Sequence, residues 1–300
     1  YLQGLCYGAK NLIKFIKPVQ LMEAKKYKLE FIKIAPSFEF AGVGFAGNVF
    51  ITLNALTYIN DSDRMYVDME TNECCCTEKD SFLHDTYNSW EYYFDQISIN
   101  EEDDLKYMNS KTSPNIHYDI QKDFLNPNNY IDLKNKFFNN FKIKDYLKSE
   151  IDDFYKTNIK DKPTLGVQIR LTDYSALLGS NPKVNKFADK INSILKENSD
   201  IKQVFLATDD HRAIKELQSL ISVPIIYWPN MFRADDENLH STPYERFTAD
   251  RENHRYKLGT ECMKEIFTLT KCKYFLKAHK SSVSIVATIL SENIQKIYGV

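Results

Sequence analysis

No stretch of this 300-residue chain stays apolar for the roughly 18 to 20 residues a bilayer-spanning helix needs, because Lys, Asn or Asp interrupts every candidate. A membrane span is therefore not expected. The first apolar segment, residues 12–16, is cut by Lys14, so no signal-peptide core is expected there either. A marked excess of charge of either sign is also missing. The 39 basic and 41 acidic side chains leave a formal charge of -2, which gives no global field to draw the chain onto nucleic acid or an acidic membrane. Glycine is scarce, at 9 residues, and carries no functional reading by its number alone. A hydrophobic fraction of 43% and a charged fraction of 27% exclude a disordered, collagen-like or disulfide-dense chain and imply ordinary buried cores.

The six cysteines include the consecutive run Cys74, Cys75 and Cys76. Adjacent cysteines rarely meet disulfide geometry with each other, and no second Cys or His pair stands at zinc-site spacing. Reduced thiols and a cytoplasmic location are the expectation, with attachment to a membrane surface or a lumenal origin left open.

Length alone implies two domains or one large one, with two as the working number. Residues 38–58 read as a strand, a turn carrying Gly42, Gly44 and Gly47, and a helix that begins at Asn48. Such a turn lets backbone approach a ligand, and the helix start offers N–H groups to an anion; a tight turn with no ligand is the equal alternative. Residues 66–69 read as a strand, and 130–141 and 145–155 as helices. Trp90, Tyr92, Tyr93 and Phe94 could stack on a sugar ring, but four aromatics so close together are expected to pack a core. Asp161 to Pro163 marks a break, dividing the chain into residues 1–160 and 161–300.

The second half alternates. Strands are expected at 165–170, 203–208, 224–228 and 274–277, and helices at 185–197, 212–221, 256–270 and 282–291. That pattern predicts a parallel sheet covered on both faces, with ligands bound beyond the carboxyl ends of its strands. Three polar clusters fall there: Arg170 to Asp173, Thr208 to Asp210, and His279 to Ser282. The planar fork of Arg170 suits a diphosphate, and Ser281 and Ser282 at a helix start suit the same phosphates. Alone, each has a structural alternative: an ion pair of Arg170 with Asp173 or Asp209, and a helix cap for the serines. Caps and surface pairs have no reason to gather at three strand ends.

The segments from Gly166 to Asp173, Val204 to Asp210 and Lys280 to Ser284 resemble, in order and approximate spacing, three motifs of the fucosyltransferase superfamily. The likeness is to its α-1,6 and nodulation group and covers roughly the last 140 residues. The resemblance implies an α/β fold of two Rossmann-like domains facing across a cleft (the GT-B type), with the donor domain at residues 161–300 and an acceptor-side domain at 1–160. It implies inverting transfer of fucose from GDP-fucose to a glycan hydroxyl. Arg170 falls at the diphosphate arginine, Asp209 and Asp210 in the acidic motif, and Ser281, Ser282 and Val283 at the phosphate side. Glu265 stands where relatives carry an acid that reads the nucleotide. The turn with Gly44, Gly47 and Asn48 resembles the superfamily's N-terminal glycine loop. Two departures stand out: Gln168 replaces a His, and the loop after Asp173 lacks a Glu.

An inverting transfer needs a base near the acceptor hydroxyl. Asp173 is the first candidate, with His240 and Asp250 behind it. No cofactor or metal is expected, since Asp209 and Asp210 alone supply too few oxygens for a hard cation. Another nucleotide-sugar donor on the same fold, or a catalytically inactive carbohydrate- or nucleotide-binding protein, remain as alternatives. A P-loop or dinucleotide site is excluded because the glycine turn lacks the Lys-Ser/Thr ending and the third-glycine spacing.

Overall fold

The computed structural model describes residues 31–34, 44–57, 64–67, 69, 76–78, 82–97, 127–171, 183–233, 251–278 and 281–300. Of the residues singled out above, Gly42, Cys74, Cys75, Asp173, His240, Asp250, His279 and Lys280 lie outside them.

The centre is a five-stranded, wholly parallel sheet of order β7-β6-β5-β8-β9. Its strands are β5 (Thr164–Ile169), β6 (Gln203–Thr208), β7 (Ile225–Ile226), β8 (Tyr274–Lys277) and β9 (Lys296–Gly299). Every residue of β5 and β6 is buried, as their near-continuous apolar sequence requires of strands covered on both faces. The five strands with α4 (Val184–Glu197), α5 (His211–Leu220), α6 (His254–Leu269) and α7 (Ser282–Ile289) make a mixed α/β unit with a parallel sheet. In α4 the buried set Val184, Phe187, Ala188, Ile191 and Ile194 has the three-and-four spacing that keeps one helical face turned inward. With α5 it packs Leu165, Val167 and Ile169 on one side of the sheet.

The opposite side holds a larger apolar cluster, in which the first half of the chain takes part. It includes α1 (Phe45–Leu56), α2 (Tyr130–Asn140) and α3 (Asp145–Asn158), together with Phe205, Phe267, Phe275, Val286 and Leu290 from the sheet half. All twelve residues of α1 are buried, and it packs against α7. Two small sheets accompany these helices: β1 (Phe31–Ile34) parallel to β2 (Arg64–Val67), and β3 (Phe94–Gln96) antiparallel to β4 (Phe141–Ile143). Trp90, Tyr92, Tyr93 and Phe94 are each fully buried. They pack a core as expected, Trp90 lying 4.7 Å from Phe94 and Phe45 4.3 Å from Tyr93 between ring centroids.

Within the described residues the expected elements return with small differences; the strand expected ahead of the glycine turn lies outside them. The strand at 224–228 shortens to two residues: the Pro224 carbonyl accepts from Val204 N at 2.9 Å, but Trp228 has already turned away to donate to Thr268 Oγ1. The sequence does not announce β1, β3, β4 or β9. Among the described residues no helix is long and apolar enough to cross a membrane.

Candidate functional site

The sheet order locates a crevice. From β5 the chain moves outward through β6 to β7, then returns to lay β8 on the other side of β5 and β9 beyond it. The connections after β5 and β8 therefore leave in opposite directions, and such a reversal point is where open parallel sheets bind ligands. Arg170 and Leu171 follow β5 on one lip; Ser281 and Ser282 open α7 on the other.

Ser281 is the N-cap of α7, yet its hydroxyl makes no capping bond. The residue is fully buried and its Oγ has no hydrogen-bond partner among the described residues. A buried hydroxyl without a partner costs about 1–3 kcal/mol. Here it lies beside the first-turn N–H groups of a helix, which no intrahelical carbonyl satisfies. Together they form a neutral cradle suited to anionic oxygens. Ser282 and Val283 are half-buried in that first turn, with Val283 packed against the larger apolar cluster. Arg170 is half-buried on the facing lip.

The end of β6 is tied to the same place. Asp209 Oδ1 accepts from Leu171 N at 3.2 Å, joining the two strand ends. Its neighbour has a different task. Asp210 is fully buried and caps α5, accepting from Arg212 N at 2.7 Å and from Arg212 Nε at 2.9 and 3.0 Å. Of the acidic pair, Asp209 is the half-buried member at the crevice, and the Asp210 carboxylate is engaged within the protein.

Glu265, on α6, accepts from Thr208 N at 3.1 Å. Its side chain is 16% exposed, and burial pushes its carboxyl up to about 8, with Arg233 and the Thr208 N–H opposing the rise. Arg233 is the residue the sequence did not single out. It is buried, donates to Thr208 O and Trp228 O at 3.1 Å each, and stands 3.5 Å from Glu265 Oε1. Its importance comes from tertiary contacts that no local pattern announces. A cavity of about 720 Å³ opens beside it, lined by His211, Lys215, Tyr227, Phe232 and Arg251 among others. That cavity lies toward the β7 edge and not at the β5/β8 crevice.

The turn residues stand apart from these. Gly44 is exposed and extended, with open space where a Cβ would project, and its carbonyl accepts from Gly47 N at 2.8 Å. Gly47 and Asn48 are buried within α1, so the helix starts three residues earlier than expected. What links them to the crevice is the packing of α1 on α7.

A parallel sheet with its crevice at the strand-order reversal is the doubly wound class of α/β fold, and within that class the chain has a fucosyltransferase-like fold. Fucosyltransferase NodZ from Bradyrhizobium, in its selenomethionine form, superposes with a TM-score of 0.54 at 13% identity, over 88% of this chain and 93% of that one. NodZ α-1,6-fucosyltransferase co-crystallized with GDP superposes with a TM-score of 0.53 at 12% identity, over the same shares. At such identity the likeness is one of fold. No protein-family model and no curated protein matches the sequence.

Proposed function

We propose that the chain is a glycosyltransferase that moves fucose from GDP-fucose to a glycan hydroxyl with inversion. In this reading residues 161–300 hold the donor and residues 1–160 form the acceptor side, the two facing across a cleft as Rossmann-like domains. The observation that carries the reading is the buried Ser281 hydroxyl at the head of α7, without a hydrogen-bond partner among the described residues and across the β5/β8 reversal from Arg170. Support comes from NodZ, a protein of similar fold described as co-crystallized with GDP and as soaked with GDP-fucose.

The chemistry assigned to the site is simple. The acceptor oxygen attacks the anomeric carbon as the bond from that carbon to the diphosphate oxygen breaks, and the acceptor proton passes to a base, for which Asp173 is proposed. Negative charge grows on the departing diphosphate. Arg170, the Ser281 and Ser282 hydroxyls and the first-turn N–H groups of α7, near Val283, are the groups proposed to receive it. Asp209 would orient the Arg170 lip, Glu265 would meet the nucleoside, and Gly44, Gly47 and Asn48 would close the site from the other domain. Phosphate held by these groups needs neither metal nor cofactor.

Calorimetric titration with GDP and a panel of GDP- and UDP-sugars tests the reading. Binding of GDP and turnover of GDP-fucose, both lost on Ser281→Ala with Arg170→Ala, is the expected result. Preference for a uridine donor would keep the class and change the substrate, whereas binding without turnover on any acceptor would favour an inactive carbohydrate- or nucleotide-binding protein.

A further inference from the structure

Buried inside the crevice is a polar chain that the reading above leaves without a task. Side chains alternate along β5, so Leu165, Val167 and Ile169 face α4 and α5. Gly166 faces Leu269 and Cys272 on the other side, and Gln168 follows it there. Gln168 is 4% exposed on a central strand, a position where an amide is costly unless it is hydrogen-bonded. Its Oε1 accepts from Ser284 Oγ at 3.0 Å, and that same Oγ accepts from Ala278 N at 3.1 Å.

This arrangement spans the site. Ala278 directly follows β8, Ser284 is the third residue of α7, and the Ser281 cap lies between them in the sequence. A serine hydroxyl has one proton to give. With that proton committed to Gln168, a lone pair of Ser284 Oγ is left aimed at Ala278 N–H. Ala278 and Ser284 are thereby tied to each other, and Gln168 sets the orientation from a strand 116 positions away. Without Gln168, the Ser284 hydroxyl is free to rotate toward a carbonyl of its own helix, the usual alternative for serine inside a helix. Ala278 N–H then loses its fixed acceptor.

We propose that Gln168 is a positioning residue of the donor site, fixing the head of α7 to Ala278 after β8 through Ser284 so that Ser281 and the first turn of α7 meet the diphosphate in a preset geometry. The inference rests on the donor-site reading and deepens it. Preset donors do not have to reorganise when charge arrives, so loosening the Ser284–Ala278 tie should weaken diphosphate binding even though Gln168 touches no phosphate.

The test uses Gln168→Leu, Ser284→Ala, their double variant, and Ser284→Thr, which keeps a hydroxyl. GDP affinity, melting temperature and amide exchange at Ala278 without nucleotide are measured on each. Expected is a loss of GDP affinity of about tenfold in either single variant, the scale of one well-made hydrogen bond at 1.4 kcal/mol per decade. The double variant should lose no more than the worse single, because both act through one chain. Ser284→Thr should bind as the unaltered protein does, and Ala278 exchange should quicken in every variant that loses affinity. If the unaltered protein binds GDP and both single variants bind it equally well, even with lowered melting temperatures, Gln168 is a core residue only and the inference falls while the donor site stands. If the unaltered protein binds no nucleoside diphosphate, the donor-site reading falls and takes the inference with it.

Discussion

Gly259 of α6 is pressed against the Tyr93 side chain so closely that a Cβ at this position would fall on the phenolic hydroxyl. The Tyr93 hydroxyl donates to Tyr256 O at 3.0 Å, and the Tyr93 and Tyr256 rings stack within 12° of parallel. The first half of the chain is thus keyed into a helix of the second. Gly259→Ala should destabilise by about 1–3 kcal/mol through overpacking, less a gain of roughly 1 kcal/mol in helix propensity. Tyr93→Phe in the same chain should recover part of the loss, since it removes the atom that clashes. Urea melts of the two single variants and the double variant measure this; additive losses would show that the two residues do not meet.

Glu265 should give stability an unusual pH dependence. Burial raises its carboxyl from 4.5 to about 8, so the folded protein holds more protons than the unfolded one between those values. Its contribution is therefore complete below about pH 4.5 and is lost as pH rises toward 8. Glu265→Gln keeps an acceptor for Thr208 N and removes the titration. Melting temperature, taken as the difference between this variant and the unaltered protein, should move in the variant's favour from pH 5 to pH 8. A flat difference would mean that the carboxyl is ionised throughout.

Arg170→Ala should weaken GDP binding by about 10- to 150-fold, the loss of a charge-assisted contact of roughly 1.5–3 kcal/mol. Turnover should fall further, because charge on the departing diphosphate grows in the transition state. Arg170→Lys should restore little, since an ammonium lacks the planar fork. Unchanged GDP affinity in a stably folded Arg170→Ala protein would remove Arg170 from the site.

The two adjacent aspartates should separate cleanly. Asp210→Ala removes the α5 cap and the partner of Arg212, costing about 1–2 kcal/mol of stability, with GDP affinity of the folded protein little changed. Asp209→Ala should do the reverse, since it loosens the β5 lip at Leu171. Thermal melts paired with GDP titrations distinguish them.

Transfer should survive EDTA, because the groups proposed for the phosphates are an arginine, hydroxyls and backbone N–H. Loss of activity on chelation, restored by a divalent ion, would place a metal in the reaction.

Most of the sheet half was readable because its strands are short, almost wholly apolar and bounded by polar clusters, and its helices carry three-and-four spacing. β9 was not, because a sequence such as Lys296-Ile297-Tyr298-Gly299 on a mostly exposed edge has no apolar run to announce it. The crevice was legible as strand ends; its interior was not. Arg233 owes its burial to Thr208 and Trp228, and Gln168 owes its partner to a helix far along the chain. Asp210 looked like a ligand group because an acidic residue after a strand serves a helix cap and a bound ligand equally well, and only the Arg212 contacts tell them apart.

The larger apolar cluster runs through both halves of the chain, and this bears on how the molecule can be divided. A fragment starting at residue 161 would carry all five strands of the main sheet but would be stripped of the helices that shield Phe205, Phe267, Phe275 and Leu290. Such a fragment should be sticky and poorly soluble in recombinant production, and useful pieces for crystallisation or binding work should keep residues 45–158 attached.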